Sequence, residues 1–150
     1  MIEAAARSLR ADCIALALPS PLPGCLLVLA RGQDLPEPPE LVPVPAGNCF
    51  CDAVLQTGQE LQAHHGAGSV WRDGRCGLMV AEELTSFLGV PVHSAGGDRV
   101  MASLSANSRM SRIWSRGDRE LLRGIAREIG SRDLLEHVVA NRQRTGSTVG

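Results

Sequence analysis

Five cysteines and four histidines are the residues of this chain best suited to covalent or metal chemistry. Cys49 and Cys51 form a C-x-C pair, and Cys76 follows in a Gly-rich stretch. Two of these three thiols within disulfide reach would make a redox site. Zinc fits less well: there is no C-x-x-C, and His64, His65, His93 and His137 are not spaced to complete a tetrahedral site. His64 and His65 are adjacent, so in an extended segment they point to opposite faces. Cys13 and Cys25 lie in apolar runs and read as small buried hydrophobes. All fifteen basic residues are Arg, and Tyr is absent. Schiff-base chemistry, a P-loop lysine and a tyrosine general acid are therefore excluded. No metal site, cofactor or catalytic residue is assigned, and the chain reads as a non-enzymatic module.

The elements that position these residues follow from hydrophobic patterning. At 150 residues and 44% apolar content, the chain is one ordinary domain with enough material for a core. Residues 2–10 place Ile2, Ala5, Ala6 and Leu9 on one helical stripe. Residues 13–18 and 25–31 are strands joined by a Pro-rich turn. Residues 41–45 are extended, and Pro43 and Pro45 assign them to a sheet edge. Gly47 or Asn48 caps a helix over 49–57, with Phe50, Ala53, Val54 and Thr57 buried and Gly58 as its stop. A short strand at 61–64 precedes an irregular segment at 65–77, and residues 78–84 form a helical turn or two. Residues 86–92 and 99–106 form a hairpin about a Gly-rich turn. Alternation puts Val100, Ala102, Leu104 and Ala106 on one face, and Met101, Ser103 and Ser105 on the other. A helix beginning near Asp118 covers the first face with Leu121, Leu122, Ile125, Ala126 and Ile129. A second apolar set, Leu134, Leu135, Val138 and Val139, falls on roughly the opposite side of a continuous helix at ~100° per residue. Either Gly130 breaks the helix, or the helix presents a second face to a partner.

The net charge of −1 gives no pull toward nucleic acid or an anionic membrane. Arg109, Arg112, Arg116, Arg119, Arg123, Arg127 and Arg132 are interleaved with Asp118, Glu120, Glu128 and Asp133. They read as a solvated helix face, not a nucleic-acid stripe. No run has the length of a membrane span, and the N-terminus lacks a signal-peptide pattern. The odd cysteine count without a framework spacing points away from an oxidising compartment. The expectation is a cytoplasmic chain, alone or cut from a larger protein.

Ser86-Phe87-Leu88-Gly89-Val90-Pro91, then Gly97-Asp98, then Trp114-Ser115 through Asp118, Leu121-Leu122 and Ile125-Ala126, resembles the C-terminal half of a GAF domain. Residues 47–58 resemble the family's first internal helix and its glycine stop. The resemblance covers roughly residues 5–131. It implies an α/β (α+β) GAF-like fold, related to PAS domains, with a central antiparallel sheet. The terminal helices would pack on one face of the sheet, and a ligand pocket would lie on the other. Residues 1–131 would form the domain, and 132–150 a C-terminal helix extension and polar tail.

The resemblance also implies a role: a sensory or regulatory domain in signal transduction, binding a small molecule of unknown identity, mediating dimerisation, or both. In that fold, ligands sit between the sheet and the segments before the central hairpin. Trp71, Arg72, Asp73, Arg75 and Cys76 cluster there, with Phe87 beneath. Trp71 and Phe87 could form an apolar wall, and Arg72 or Arg75 could pair with an anionic group. A homodimer through the terminal helices is expected, with neither nucleic acid nor membrane as partner. Two alternatives accompany this reading. One is a cysteine-based free methionine-(R)-sulfoxide reductase using Cys49, Cys51 and Cys76. The other is the effector-binding part of a transcription regulator. The cyclic-nucleotide signature of some relatives is incomplete: Asn107-Ser108 and Trp114-x-x-x-Asp118-Arg119 lack its Lys and final Glu. The bilin-attaching Cys-His pair of phytochrome-like relatives is also absent, because Phe, Asp and Gly follow Cys49, Cys51 and Cys76.

Overall fold

Pro21, Pro23 and Gly24 interrupt both strand and helix, so the apolar runs on either side fold back on each other. In the computed structural model, which describes residues 2–32, 35, 41–47, 49–64, 79–80 and 82–131, they form β1 (Cys13–Pro19) and β2 (Cys25–Gly32). The turn is shorter than its composition suggests, since Pro19 still pairs with Leu26. Helix α1 (Ile2–Leu9) precedes them; β3 (Leu41–Pro45), α2 (Phe50–Thr57) and β4 (Leu61–His64) follow. β5 (Ser86–His93), β6 (Val100–Ser108) and α3 (Arg116–Ser131) complete the described order. The six strands form one antiparallel sheet in the order β3-β2-β1-β6-β5-β4. β3, with its two prolines, lies at an edge as expected, where missing ladder donors cost least.

Each face of the sheet buries its own cluster. On one face Ile14, Leu16, Leu88, Val90, Val92 and Leu104 meet Leu122, Ile125, Ala126 and Ile129 of α3, together with Leu9 and Trp114. On the other, Ala15, Ala17, Leu26, Val28 and Phe87 meet Phe50, Cys51 and Val54 of α2, together with Met79 and Leu84.

The hairpin departs from strict alternation at one point. Ala102 pairs with Val92 and Val100 pairs with His93, which leaves Met101 as an extra residue. This β-bulge turns Met101 toward the α3 side. Val100 does not continue the Ala102-Leu104-Ala106 row; its Cγ2 lies 3.3 Å from where a Cβ on Gly58 would sit. Continuous alternation was the expectation, and only the register reveals the bulge.

Both helices differ from the sequence reading in detail. The cap residue of α2 is Cys49. Its buried residues are Phe50, Cys51 and Val54, while Thr57 is exposed and turns its hydroxyl back to the Ala53 carbonyl at 2.8 Å. Gly58 ends the helix in the left-handed conformation, donating its N–H to the Val54 carbonyl at 2.9 Å. α3 starts at Arg116, before Asp118, because Ser115 and Asp118 form a reciprocal capping pair. The Asp118 N–H donates to Ser115 Oγ (3.1 Å), and the Ser115 N–H donates to Asp118 Oδ2 (3.0 Å). Leu121 is 39% exposed and does not join the core.

Gly130 does not break α3, which is described through Ser131. A Cβ there would collide with the His93 carbonyl oxygen, so glycine lets the helix close onto the end of β5. The other end of α3 is tied to α1 by Arg112. Its guanidinium stacks 3.9 Å from the Trp114 ring centroid. It also pairs with Asp118 at 3.0 Å and donates to the Leu9 carbonyl at 3.0 Å. A cation at the carbonyl end of α1 also complements that helix's dipole. The second apolar set at 134–139 and the tail lie outside the described residues.

Candidate ligand-binding site

The α2 side of the sheet is where chemistry could occur, because its floor is not wholly apolar. Alternation along β6 turns Ser103, Ser105 and Asn107 to this face, opposite Ala102, Leu104 and Ala106. The three are 0, 1 and 2% exposed. Across the sheet their partners are small or aromatic. Ser103 lies between Ala17 and Pro91, Ser105 between Ala15 and Gly89, and Asn107 between Cys13 and Phe87. With small side chains on the adjacent strands, the row forms a lane of buried sheet surface, bordered by the larger Leu26 and Val28 on one side and Phe87 on the other.

The polar row is only partly satisfied. Asn107 Nδ2 donates to Ser105 Oγ at 3.0 Å, and Ser105 Oγ reaches the Ala15 carbonyl at 3.5 Å. Among the described residues, Ser103 Oγ and Asn107 Oδ1 are buried and find no hydrogen-bond partner. A buried polar atom left unpaired costs about 1–3 kcal/mol, so folded chains seldom retain one without a use for it.

Phe87 shapes the wall of the lane. It is fully buried, and its ring centroid lies 5.3 Å from that of Phe50 on α2. Its ring also lies over Gly89, where an added Cβ would sit 2.6 Å from two ring carbons and 3.1 Å from Val54 Cγ2. Gly89 therefore lets both the aromatic ring and α2 approach the sheet closely. Phe87, expected as an apolar wall residue, is thus part of the α2-side core cluster.

The other expected site residues are placed unevenly. Trp71, Arg72, Asp73, Arg75 and Cys76 lie outside the described residues, as do His65 and His137. Cys49 and Cys51 are 3 and 6% exposed and sit in the α2-side cluster. His64 is half-buried at the end of β4, and His93 is exposed at the end of β5. Among the described residues no group of three or more His, Cys, Asp or Glu could hold a metal ion. Sequence reasoning did not assign Ser103, Ser105 and Asn107 to the site. Their signal was present in the alternation of β6, where polar residues fill a face that burial makes interior.

Residues 1–132 match the family model described as GAF domain. No curated protein matches the chain. Among solved structures, the chain is similar to the GAF domain of a phosphoenolpyruvate-protein phosphotransferase from Acinetobacter. The identity is 20% and the TM-score 0.71, with 93% of this chain and 80% of that one covered. It is also similar to the GAF domain of a two-component sensor histidine kinase from Bacillus halodurans, at 15% identity and TM-score 0.59, covering 97% and 95%. A third likeness is to free methionine-R-sulfoxide reductase from Neisseria meningitidis in complex with its substrate. There the identity is 16% and the TM-score 0.64, covering 89% and 74%. At these identities the likenesses concern the fold.

Proposed function

The chain belongs to the GAF domain family, and we propose that it is a sensory or regulatory module of signal transduction that binds a small molecule on the α2 face of its sheet. The observation that carries this reading is the polar row of β6, with Ser103 Oγ and Asn107 Oδ1 buried and, among the described residues, unpartnered beside Phe87 and Phe50. Binding sites have this composition: mostly apolar walls with a few placed polar groups. Supporting it, one structural neighbour is a domain of a sensor kinase and another is a domain of a phosphotransferase. Trp71, Arg72, Asp73, Arg75 and Cys76 are proposed to close over the lane. The working compartment of the proposal is the cytoplasm, supported by five cysteines without a disulfide framework spacing. No described helix is long and apolar enough to cross a membrane.

The proposal includes a homodimer through the terminal helices. Ile113 is 75% exposed just before α3, and Leu121 is half-exposed on it. Both would gain by burial against a second copy. The apolar set at 134–139 would extend the same surface. Sedimentation velocity at rising concentration tests this part, and a chain that stays monomeric contradicts it. Native mass spectrometry of the freshly purified chain, beside a denatured control, tests the ligand. Extra mass that disappears on denaturation supports the reading, whereas a bare dimer favours a purely dimerising role.

The reductase alternative has a structural neighbour of that activity. The burial of Cys49 and Cys51 weighs against it, because thiols closed off from solvent are usually inert. An effector-binding half of a transcription regulator would use the same lane and differ only in its output.

A further inference from the structure

A cavity of about 40 Å³ opens on the α3 side of the sheet. Its described lining comes from Ile14 and Leu16 of β1, Leu29 and Arg31 of β2, Leu104 of β6 and Ile129 of α3. α3 packs on β5 and β6, so Ile129 forms one wall and the β1–β2 pair beyond it forms the floor. Leu27 and Leu29 both face this side, yet Leu27 is buried and Leu29 is only half-buried. Apart from Arg31, the described lining is aliphatic, without the several placed polar groups that orient a metabolite. The volume is also far below the ~300–1,000 Å³ of small-molecule pockets; it suits a single aliphatic side chain.

The chain carries such side chains close by. α3 is described through Ser131, just past the cavity wall at Ile129. Leu134, Leu135, Val138 and Val139 follow, outside the described residues. A helix continued in phase at ~100° per residue turns this set roughly opposite to Leu122, Ile125, Ala126 and Ile129, which face the sheet. In that phase the set is directed away from its own sheet and cannot fill its own cavity. The cavity, floored by the sheet, opens away from it as well, so both features face the same way at one end of α3. A knob and a hole side by side on one surface are what a two-fold axis requires, because each copy then gives its knob and receives its partner's.

We propose that the cavity receives an aliphatic side chain of a second copy of the chain, from its Leu134, Leu135, Val138 and Val139 set, exchanged about a two-fold axis near the C-terminal end of α3. The docking rests on the homodimer proposed above and names the surface that its apolar set meets.

Sedimentation equilibrium on the full chain tests it with a cavity variant and a tail variant. Leu29→Phe fills the cavity from within, and Leu135→Ser/Val138→Ser removes the apolar knob. Each should raise the dimer dissociation constant about tenfold or more, the scale of one lost aliphatic contact per copy. Combined, they should weaken the dimer no further than the stronger single variant, because both remove the same contact. The tail variant keeps the test decisive where Leu29→Phe perturbs folding. In an equimolar mixture of isotope-labelled and unlabelled parent chains, filtered NOE spectra should connect Leu29 and Ile129 to the 134–139 set between chains. Dimer affinity unchanged by the tail variant, or effects that simply add, overturns the docking and leaves the homodimer standing. A chain that is monomeric at every concentration removes the homodimer and the docking together. The same NOE contacts within one chain overturn the docking in favour of the chain's own tail.

Discussion

Ser103→Ala should make the ligand-free protein more stable. The Ser103 side chain is fully buried, and its hydroxyl has no partner among the described residues. Keeping such a group in the interior costs about 1–3 kcal/mol relative to a partnered one. Replacing the hydroxyl by hydrogen removes that cost and loses only the contacts of one oxygen atom. A net gain of about 1 kcal/mol follows, or a rise of about 3 °C in melting temperature for a domain of this length. Ser86 provides a matched control: the same residue type, also fully buried, but with its hydroxyl donated to the Met110 carbonyl at 2.9 Å. Ser86→Ala should therefore cost about 1 kcal/mol. Denaturant unfolding of both variants, on protein stripped of small molecules by unfolding and refolding, separates the two signs. A Ser103→Ala midpoint equal to or below that of the parent would refute the claim that the lane is held at the expense of stability.

Three further outcomes follow from the geometry. Gly130→Ala should destabilise the domain by about 1–3 kcal/mol in chemical denaturation, because its Cβ would meet the His93 carbonyl and overpack the α3–β5 contact. Arg112→Met should cost about 1–2 kcal/mol and raise hydrogen exchange in the first turn of α3, since it removes the cation on Trp114, the Asp118 pair and the Leu9 carbonyl bond together. The Ser94 hydroxyl, donating to Asp98 Oδ1 at 2.6 Å, holds the Asp98 carboxyl below its usual range. That turn thus adds stability above the ordinary carboxylate range, which is lost as pH falls through the depressed value. In carboxyl-detected NMR titration, Ser94→Ala should move Asp98 back up toward ordinary behaviour.

The two hairpins, the edge strand with its prolines and the apolar face of α3 were legible in the chain, because each depends on local periodicity or turn chemistry. The bulge at Met101 was not, since a bulge is a relation between two strands, and neither Val100 nor Met101 signals it alone. The capping pair of Ser115 and Asp118 was present as a spacing, yet the apolar pattern drew the helix start toward Asp118. Phe87 was legible as a buried aromatic because it opens an apolar strand. Ser103 and Ser105 were visible as a polar face, but only the cover from α2 makes that face interior. Their meaning depends on which atoms remain unpaired after folding, and no sequence pattern encodes that. Arg72 and Arg75, expected to pair with an anionic group, lie outside the described residues.

The most direct test of the ligand-binding account is a pair of native mass spectra, recorded on the parent chain and on a Ser103→Ala/Asn107→Leu variant purified identically from the same host. The account predicts bound mass on the parent that is released by denaturation, and a bare variant of unchanged oligomeric state. Equal mass on both, or bare spectra for both, would contradict the assignment of the β6 polar row as the floor of a ligand site.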